Sequence, residues 1–180
     1  LDAIEGASTM NVLATDKTGT ITMNKLAVNR VIPLEGDESE VLLYGALASR
    51  EEDQDPIDLA IINKAKEKGI KLEDWKVLEF KPFDPSTRRT ESAVAKDGKT
   101  LRLAKGSIDT ISKLCGIADE REVYSKAEEE AKMGCRVLAV AKNEGSKWEL
   151  VGLVSLRDPP RPDSAELIKE LKDLGVKVIM

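Results

Sequence analysis

Apolar and polar positions follow two different patterns along the chain. Short apolar runs at residues 10–14 and 176–180 indicate buried strands, each beside a polar loop or a helix. Between them, β-rich segments occur in pairs. An Asp-Gly pair at residues 97–98 predicts a tight hairpin, and the strands expected at residues 136–142 and 148–156 form a second hairpin across a Gly-containing turn.

Helix signals separate these strands. Asp55 followed by Pro56 is a strong helix start, because Asp caps free backbone N–H groups and Pro suits the first helical position. Gly69 is placed to end this helix. The acidic run at residues 128–130 is interpreted as a solvated helix face. Further helices are expected at residues 39–49, 107–114, 119–133 and 164–174.

The order of the elements predicts one domain inserted into another. Residues 1–24 and 148–180 carry the strand and helix order of a parallel α/β sheet, whereas residues 25–147 mix hairpins with helices. We therefore expect an inserted α+β domain, an antiparallel sheet flanked by helices, within an incomplete α/β domain of the Rossmann type. Because the chain starts and stops inside the α/β pattern, we expect it to be an excised fragment.

Composition removes several classes of function. The 28 basic and 33 acidic residues give a net charge of −5, which argues against a nucleic-acid-binding domain, because such domains carry basic patches. The absence of histidine excludes serine–histidine catalysis, histidine general bases and the usual zinc sites. The two cysteines show no metal-binding spacing, and no apolar run approaches the ~20 residues of a membrane span.

Asp16 follows the first apolar run and is the leading candidate for chemistry. The carboxyl end of a parallel strand is where α/β sheets bind ligands, and an Asp can accept a phosphoryl group as a covalent nucleophile. The Lys-Thr-Gly-Thr segment at residues 17–20 supplies hydroxyl and backbone N–H groups that suit phosphate oxygens. From these residues alone, an ordinary capped turn is the competing interpretation.

The Asp-Lys-Thr-Gly-Thr segment at residues 16–20 resembles the phosphorylation signature of the P-type ATPases, ion pumps that form an aspartyl phosphate. This resemblance implies a haloacid-dehalogenase-like fold for the incomplete α/β domain. Further segments resemble sequence elements of this family. They occur in the same order as in the family and cover nearly the whole chain. They are the acidic helix start at 55–60, the Phe-containing adenine loop at 81–90, the Lys-Gly pair at 105–106, the Gly-x-Arg-x-Leu strand at 134–141 and the Asp-Pro-Pro-Arg hinge at 158–161.

The resemblance implies a role for individual residues. Asp16 would be the nucleophile for the γ-phosphate of ATP, and Thr18 would help to hold the phosphoryl group and, with Asp16, a Mg²⁺ ion. Phe83 would stack on adenine, whereas Phe80 is interpreted as a core residue on the opposite side of its strand. The other nucleotide-binding residues would be Asp58 at the adenine amino edge, Arg88 at the phosphates or ring edge, Lys105 and Gly106 at the pocket wall, Arg136 toward the phosphates, Asp158 at the ribose and Arg161 at the joint between the domains.

Several of these residues also have a structural interpretation. Arg88 could belong to a solvated turn, and Asp58 could stabilise its helix through the helix dipole. Asp158 could be a strand-end acid before a proline turn. Lys105 beside a glycine at a hairpin end carries little signal without the resemblance.

The resemblance also indicates a subclass. The Phe-Asp-Pro segment at residues 83–85 and the hinge at 158–161 are most similar to plasma-membrane proton pumps. The absence of histidine argues against the heavy-metal pumps, which usually carry a His-Pro pair. The expected partners are the transmembrane, actuator and remaining phosphorylation-domain segments of the same chain, with this soluble part on the cytoplasmic side of the cell membrane. By itself the fragment is expected to bind ATP without efficient turnover.

Two other functions stay open at this point. A soluble haloacid-dehalogenase-type phosphatase with an inserted cap would share the fold of the phosphorylation domain. Such phosphatases usually carry a second Asp two residues after the nucleophile, where this chain has Thr18. A Thr does not transfer that proton at neutral pH, so an aspartyl phosphate would persist. The third possibility is a non-catalytic ATP-binding module.

Overall fold

The computed structural model describes residues 9–180, which divide into two units. Residues 9–25 and Asp158–Met180 form the terminal unit, and Leu26–Arg157 form the inserted unit. The strands are β1 (Val12–Ala14), β2 (Ala27–Pro33), β3 (Lys76–Asp84), β4 (Arg89–Lys96), β5 (Lys99–Gly106), β6 (Arg136–Asn143), β7 (Trp148–Arg157) and β8 (Lys177–Ile179). The helices are α1 (Glu38–Leu47), α2 (Pro56–Glu67), α3 (Ile108–Leu114), α4 (Arg121–Lys132) and α5 (Ser164–Asp173).

The inserted unit is built on a six-stranded antiparallel sheet of order β2-β7-β6-β5-β4-β3. Buried side chains of α1 and α2 pack on one side of the sheet, and those of α3 and α4 form a second cluster with it. This arrangement confirms the expected fold class, an antiparallel α+β domain inserted into an α/β domain. The predicted hairpin at Asp97 and Gly98 is confirmed as well, with φ of 50° and 78° at the two turn residues.

The expected boundary between residues 147 and 148 differs from the structure. Strand β7 pairs antiparallel with both β2 and β6 and belongs to the inserted sheet, so the division falls between Arg157 and Asp158. The misleading signal was the nearly continuous apolar run at residues 150–156, which is typical of a parallel strand. Here the run is apolar because helices cover the sheet on both sides of this central strand.

The predicted start of α2 is confirmed. The Asp55 side chain accepts hydrogen bonds from the backbone N–H groups of Ile57, at 2.8 Å, and Asp58, at 3.2 Å, and Pro56 begins the helix. The chain leaves the helix at Gly69, where φ is +70°. This cap fixes the first turn of α2 and with it the position of the Asp58 side chain.

The interpretation of residues 128–130 as a solvated face is wrong for Glu130. Its side chain is 1% exposed, because position 130 lies on the same face of α4 as Val123 and Ala127. The carboxylate accepts hydrogen bonds from Asn29 Nδ2 at 2.8 Å and from Ser155 Oγ at 2.6 Å. Glu130 therefore joins α4 to β2 and β7 from inside the inserted unit.

The terminal unit contains a short parallel pair of strands, β1 and β8, and helix α5. The expectation of a buried strand at residues 10–14 is wrong in its burial: Val12 is 46% exposed, because β1 has only β8 as a neighbour among the described residues. Within residues 9–180, no helix is long and apolar enough to cross a bilayer.

Candidate functional site

The inserted unit contains a cavity of about 900 Å³ between the start of α2, the turn that joins β3 to β4, and the ends of β5 and β6. This volume is in the range of small-molecule sites. The residues that line it come from four separate stretches of sequence. Six residues that the sequence singled out for nucleotide binding are among them: Asp58, Phe83, Arg88, Lys105, Gly106 and Arg136.

The floor of the cavity carries a buried ion pair. Lys105 is 3% exposed and Asp58 is 4% exposed, and the ammonium group donates directly to the Asp58 carboxylate. The second carboxylate oxygen accepts from the backbone N–H of Arg50 at 3.0 Å. Because the two charges compensate each other, the floor is polar without a net charge. The sequence indicated both residues but not their pairing.

Phe83 presents an apolar ring to the cavity and is 59% exposed. Phe80, three residues earlier in the same strand, does not line the cavity. Its interpretation as a core residue is wrong in detail: the ring is half-buried, lies outside both apolar clusters and is covered by the Arg50 guanidinium at 4.8 Å. Of the two phenylalanines, Phe83 is therefore the one whose ring could stack on a base in the cavity.

Arg88 lines the cavity, and its backbone has the left-handed conformation that non-glycine residues rarely adopt. Its φ is +52°, and its N–H donates to the Asp84 carbonyl at 2.7 Å. The Asp84 carboxylate accepts from the Ser86 hydroxyl and N–H, both at 2.7 Å, and these bonds hold its pKa below the usual value. Gly106 packs closely on this turn, since a Cβ there would lie 2.6 Å from the Arg88 carbonyl oxygen. A glycine is thus required beside Arg88.

The charges at the cavity are unevenly distributed. Arg88 and Arg136 are exposed, and neither forms an ion pair with any described residue. At the other side, Asp53 is bound by the Arg50 guanidinium, and Asp55 is occupied in capping α2. The free positive charges beside a neutral floor suit a ligand that has a polar uncharged ring and an anionic tail.

Sequence reasoning missed some lining residues. Thr90 is 4% exposed, and its hydroxyl donates to the Ala48 carbonyl at 2.6 Å, which ties β4 to the end of α1. Its alternation with the half-buried residues of β4, such as Arg89 and Glu91, could have predicted an inward position. Ser107 caps α3, and its place directly after the Lys-Gly pair was a usable signal.

The segment from Asp16 to Lys25, called the Asp16 loop here, lies in the terminal unit. Asp16 is exposed, and its carboxylate makes no capping hydrogen bond to the following turn in the described structure. The loop is sharply bent, with φ of +80° at Gly19. These features disfavour the interpretation of Asp16 as an ordinary cap and leave the carboxylate available for a reaction.

Asp158 and Arg161 also belong to the terminal unit, whereas every lining residue of the cavity belongs to the inserted unit. The Asp158 carboxylate accepts from the Thr22 hydroxyl, and from the Lys25 N–H at 3.0 Å. Arg161 donates to the carbonyls of the Asp16 loop. The structure therefore groups these two predicted nucleotide-binding residues with Asp16 and not with the cavity.

The metal-binding groups that Asp16 and Thr18 could offer are oxygen atoms. No group of three or more His, Cys, Asp or Glu side chains that could hold a metal ion occurs within residues 9–180. The Asp16 carboxylate and the Thr18 backbone carbonyl are hard ligands, which Mg²⁺ prefers, and Mg²⁺ commonly takes one or two carboxylates with phosphate and water oxygens completing its shell. The residues present fit such an ion.

Comparisons with known proteins show which family the chain resembles. Residues 10–180 match the hydrolase family described as haloacid dehalogenase-like hydrolase. The whole chain is 40% identical, over 185 aligned positions, to MJ1226, a candidate cation-transporting ATPase of Methanocaldococcus jannaschii, and it spans 23% of that protein's length.

Two solved structures of a zinc-transporting PIB-type ATPase, in two different states of that pump, superpose on the chain with TM-scores of 0.74 and 0.73. The sequence identities are 23% and 24%, and each alignment covers 98% of this chain and 26% of the other. At this identity the likeness concerns the fold. It confirms that this fold occurs as part of much longer P-type ATPase chains.

Proposed function

Because the chain belongs to the haloacid dehalogenase-like hydrolases and is homologous to cation-transporting P-type ATPases, we propose that it is the ATP-binding and phosphoryl-accepting part of such a pump. The observation that carries the proposal is the cavity. Six residues marked by separate sequence motifs, spread from position 58 to position 136, line one cavity of the size of a nucleotide site.

Adenine is proposed to bind between the Phe83 ring and the ion pair on the floor. An exposed aromatic ring stabilises a base by about 1–3 kcal/mol through stacking. The Asp58 carboxylate keeps lone pairs that can accept from the adenine amino group, and the Lys105 ammonium keeps N–H groups that can donate to a ring nitrogen. Because the ion pair has no net charge, it can form hydrogen bonds with a neutral base without leaving an unpaired charge buried under that base.

The phosphates are proposed to extend toward Arg88 and Arg136. Both guanidinium groups lack a carboxylate partner among the described residues, so their donors are free for phosphate oxygens. The close packing of Gly106 on the turn holds Arg88 in place. This arrangement supports a nucleoside polyphosphate over an uncharged nucleoside as the ligand.

Asp16 is proposed to accept the γ-phosphate. A carboxylate oxygen forms a bond to the γ-phosphorus, the bond from that phosphorus to the bridging oxygen breaks, and ADP leaves with the electron pair. Asp16 and the Thr18 carbonyl would hold Mg²⁺, which neutralises phosphate charge when it is bound. Because Thr18 stands where soluble phosphatases usually have a proton-transferring Asp, the resulting aspartyl phosphate persists, which a pump requires.

The transported ion is proposed to be the proton. The whole protein is proposed to lie in the cell membrane, with this part on the cytoplasmic side. Support for the proton is the similarity of residues 83–85 and 158–161 to the proton pumps. The absence of histidine separates the chain from the heavy-metal pumps at the motif level. The transmembrane and actuator segments of such a pump are the proposed partners.

The proposal is tested by measuring the ATP dissociation constant of the chain with two matched substitutions in β3. Phe83→Leu removes the ring that lines the cavity, and Phe80→Leu makes the same change three residues away, outside it. We expect Phe83→Leu to weaken ATP binding about 5- to 100-fold, as the loss of a stacked base implies, and Phe80→Leu to change it less than twofold. Equal affinities for both variants and the wild type would refute the adenine site.

A further inference from the structure

The loop that follows Asp16 is held by a segment about 140 residues later in the sequence. The backbone N–H of Met23 donates to the Pro159 carbonyl at 3.0 Å, and the N–H of Arg161 donates to the Ile21 carbonyl at 2.9 Å. The Ser164 hydroxyl donates to the same Ile21 carbonyl at 2.7 Å. Residues 158–164 therefore hold the loop through both backbone and side-chain hydrogen bonds.

The Arg161 guanidinium makes the most specific of these contacts. Its Nε donates to the Thr20 carbonyl at 3.1 Å, and one terminal nitrogen donates to the Gly19 carbonyl at 3.0 Å. Two adjacent carbonyls are thus bound by one planar group, which a lysine ammonium reproduces poorly. The bend at Gly19, with φ of +80°, brings the two carbonyls toward this fork.

Asp158 holds the other end of the loop. One carboxylate oxygen accepts from the Thr22 hydroxyl and the other from the Lys25 N–H at 3.0 Å. Thr22 is 6% exposed, and its hydroxyl oxygen also accepts from the Gly19 N–H at 3.3 Å. Both carboxylate oxygens of Asp158 are therefore engaged within the terminal unit.

We propose that Asp158 and Arg161 are positioning residues for the Asp16 loop and do not contact the nucleotide, an inference that rests on the proposed role of Asp16. Phosphoryl transfer depends mainly on positioning and on charge neutralisation. Arg161 and Asp158 fix the two ends of the bend that follows the acceptor. Both carboxylate oxygens of Asp158, and the Nε and one terminal nitrogen of Arg161, bind the loop. This distinguishes them from Arg88 and Arg136, which line the cavity and have no ion-pair partner among the described residues.

The test compares amide hydrogen exchange in the loop with ATP affinity in the same variants of this chain. The variants are Asp158→Asn, Arg161→Lys, Arg161→Ala, Thr22→Val and the rescue variant Thr22→Ser. Arg157→Ala is the matched control, because this neighbouring arginine is exposed and its side chain makes no hydrogen bond or ion pair with a described residue. The reporters are the amides of Thr22 and Met23 in the loop and those of β5 elsewhere.

We expect Arg161→Ala and Thr22→Val to raise exchange at the loop reporters at least tenfold, with Arg161→Lys and Asp158→Asn intermediate and Thr22→Ser close to the wild type. Exchange in β5 and the ATP dissociation constant should change less than twofold. An ATP dissociation constant raised tenfold or more by Arg161→Lys or Asp158→Asn would overturn the proposal, and so would unchanged loop exchange. If the wild type binds no ATP, the proposed function fails, while the exchange measurement still decides the loop contacts.

Discussion

Lys105 and Asp58 form a buried ion pair that joins strand β5 to the first turn of helix α2 under the cavity. Each side chain is almost fully shielded from water, so each depends on the other to compensate its charge. The Asp55 cap and the Arg50 N–H fix the carboxylate from its own side of the cavity. The pair is therefore a structural tie, and it also forms the polar surface on which we propose that the base binds.

Removal of one partner of this pair leaves an uncompensated buried charge. We expect Asp58→Asn and Lys105→Met each to lower the free energy of unfolding by about 3–5 kcal/mol. The double variant should lose clearly less than the sum, because it leaves no unpaired charge. Urea unfolding measures all three. The exposed pair of Lys96 with Asp74 is the control: Asp74→Asn should lower the free energy of unfolding by less than about 1 kcal/mol. If the losses of the two single variants at the buried pair were additive in the double variant, Lys105 and Asp58 would not act as a coupled ion pair.

Gly106 is expected to tolerate no side chain. The Cβ of Gly106→Ala would lie 2.6 Å from the Arg88 carbonyl oxygen and 2.8 Å from the Arg89 Cβ, so the β3–β4 turn must move. We expect a loss of about 1–3 kcal/mol in stability and weaker ATP binding, because Arg88 moves with the turn. Gly45→Ala is the control, since its Cβ meets only side-chain carbons at 3.4 Å and beyond. Unchanged affinity in Gly106→Ala would show that the turn does not position Arg88 for the ligand.

Arg88 and Arg136 are expected to bind phosphates and not the base. Arg88→Ala and Arg136→Ala should each weaken ATP binding about fivefold or more, in line with the loss of a charge-assisted hydrogen bond, and should leave adenosine binding unchanged. Calorimetric titration with both ligands measures the difference. Arg121→Ala, at an exposed arginine paired with Asp119, should alter neither affinity. An equal loss for adenosine and ATP would place the two arginines at the base instead.

The buried Glu130 should give a pH-dependent contribution to stability. Burial acts to raise the pKa of this carboxyl, but hydrogen bonds from Ser155 and Asn29 and the nearby charge of Arg30 outweigh it, and the net pKa lies below the ordinary value. A carboxyl with a lowered pKa in the folded state stabilises the fold above its unfolded pKa of about 4.3. That stabilisation is lost as the pH falls through the folded pKa.

The difference in unfolding free energy between the wild type and Glu130→Gln should therefore be largest near neutral pH, at about 1–3 kcal/mol. It should shrink as the pH falls below about 4. Chemical unfolding at several pH values measures it. Glu129→Gln changes the neighbouring side chain, which is 80% exposed, and should show no comparable trend. A difference for Glu130→Gln that stays constant down to about pH 3 would contradict the buried carboxylate network.

Local signals in the sequence predicted much of the fold. Asp55 with Pro56 and the turn at residues 97–98 act through their own backbone geometry, and the structure confirms both. The hairpin between residues 136–142 and 148–156 was also predicted, and β6 pairs with β7 as expected. The other neighbour of β7 is β2, more than 100 residues away, and no local pattern carries that pairing. Glu130 was missed for the same reason, because its partners Asn29 and Ser155 are distant in sequence.

The candidate site shows the same division. The motifs indicated candidate nucleotide-binding residues, and six of these line the cavity. The pairing of Lys105 with Asp58 and the covering of Phe80 by Arg50 depend on how β5, α2 and β3 come together. A single sequence contains residue types and spacings, but it does not contain the distances between separate elements.

ATP binding in the cavity of the inserted unit is the claim on which the proposed function depends most. The most direct measurement is an NMR titration of this chain with ATP, observed at every assigned amide. We predict saturable shifts that cluster at Asp58, Phe83, Arg88, Lys105 and Arg136, with little change at Gly98 or Glu130. Shifts concentrated away from these five residues, or none at millimolar ATP, would contradict the claim.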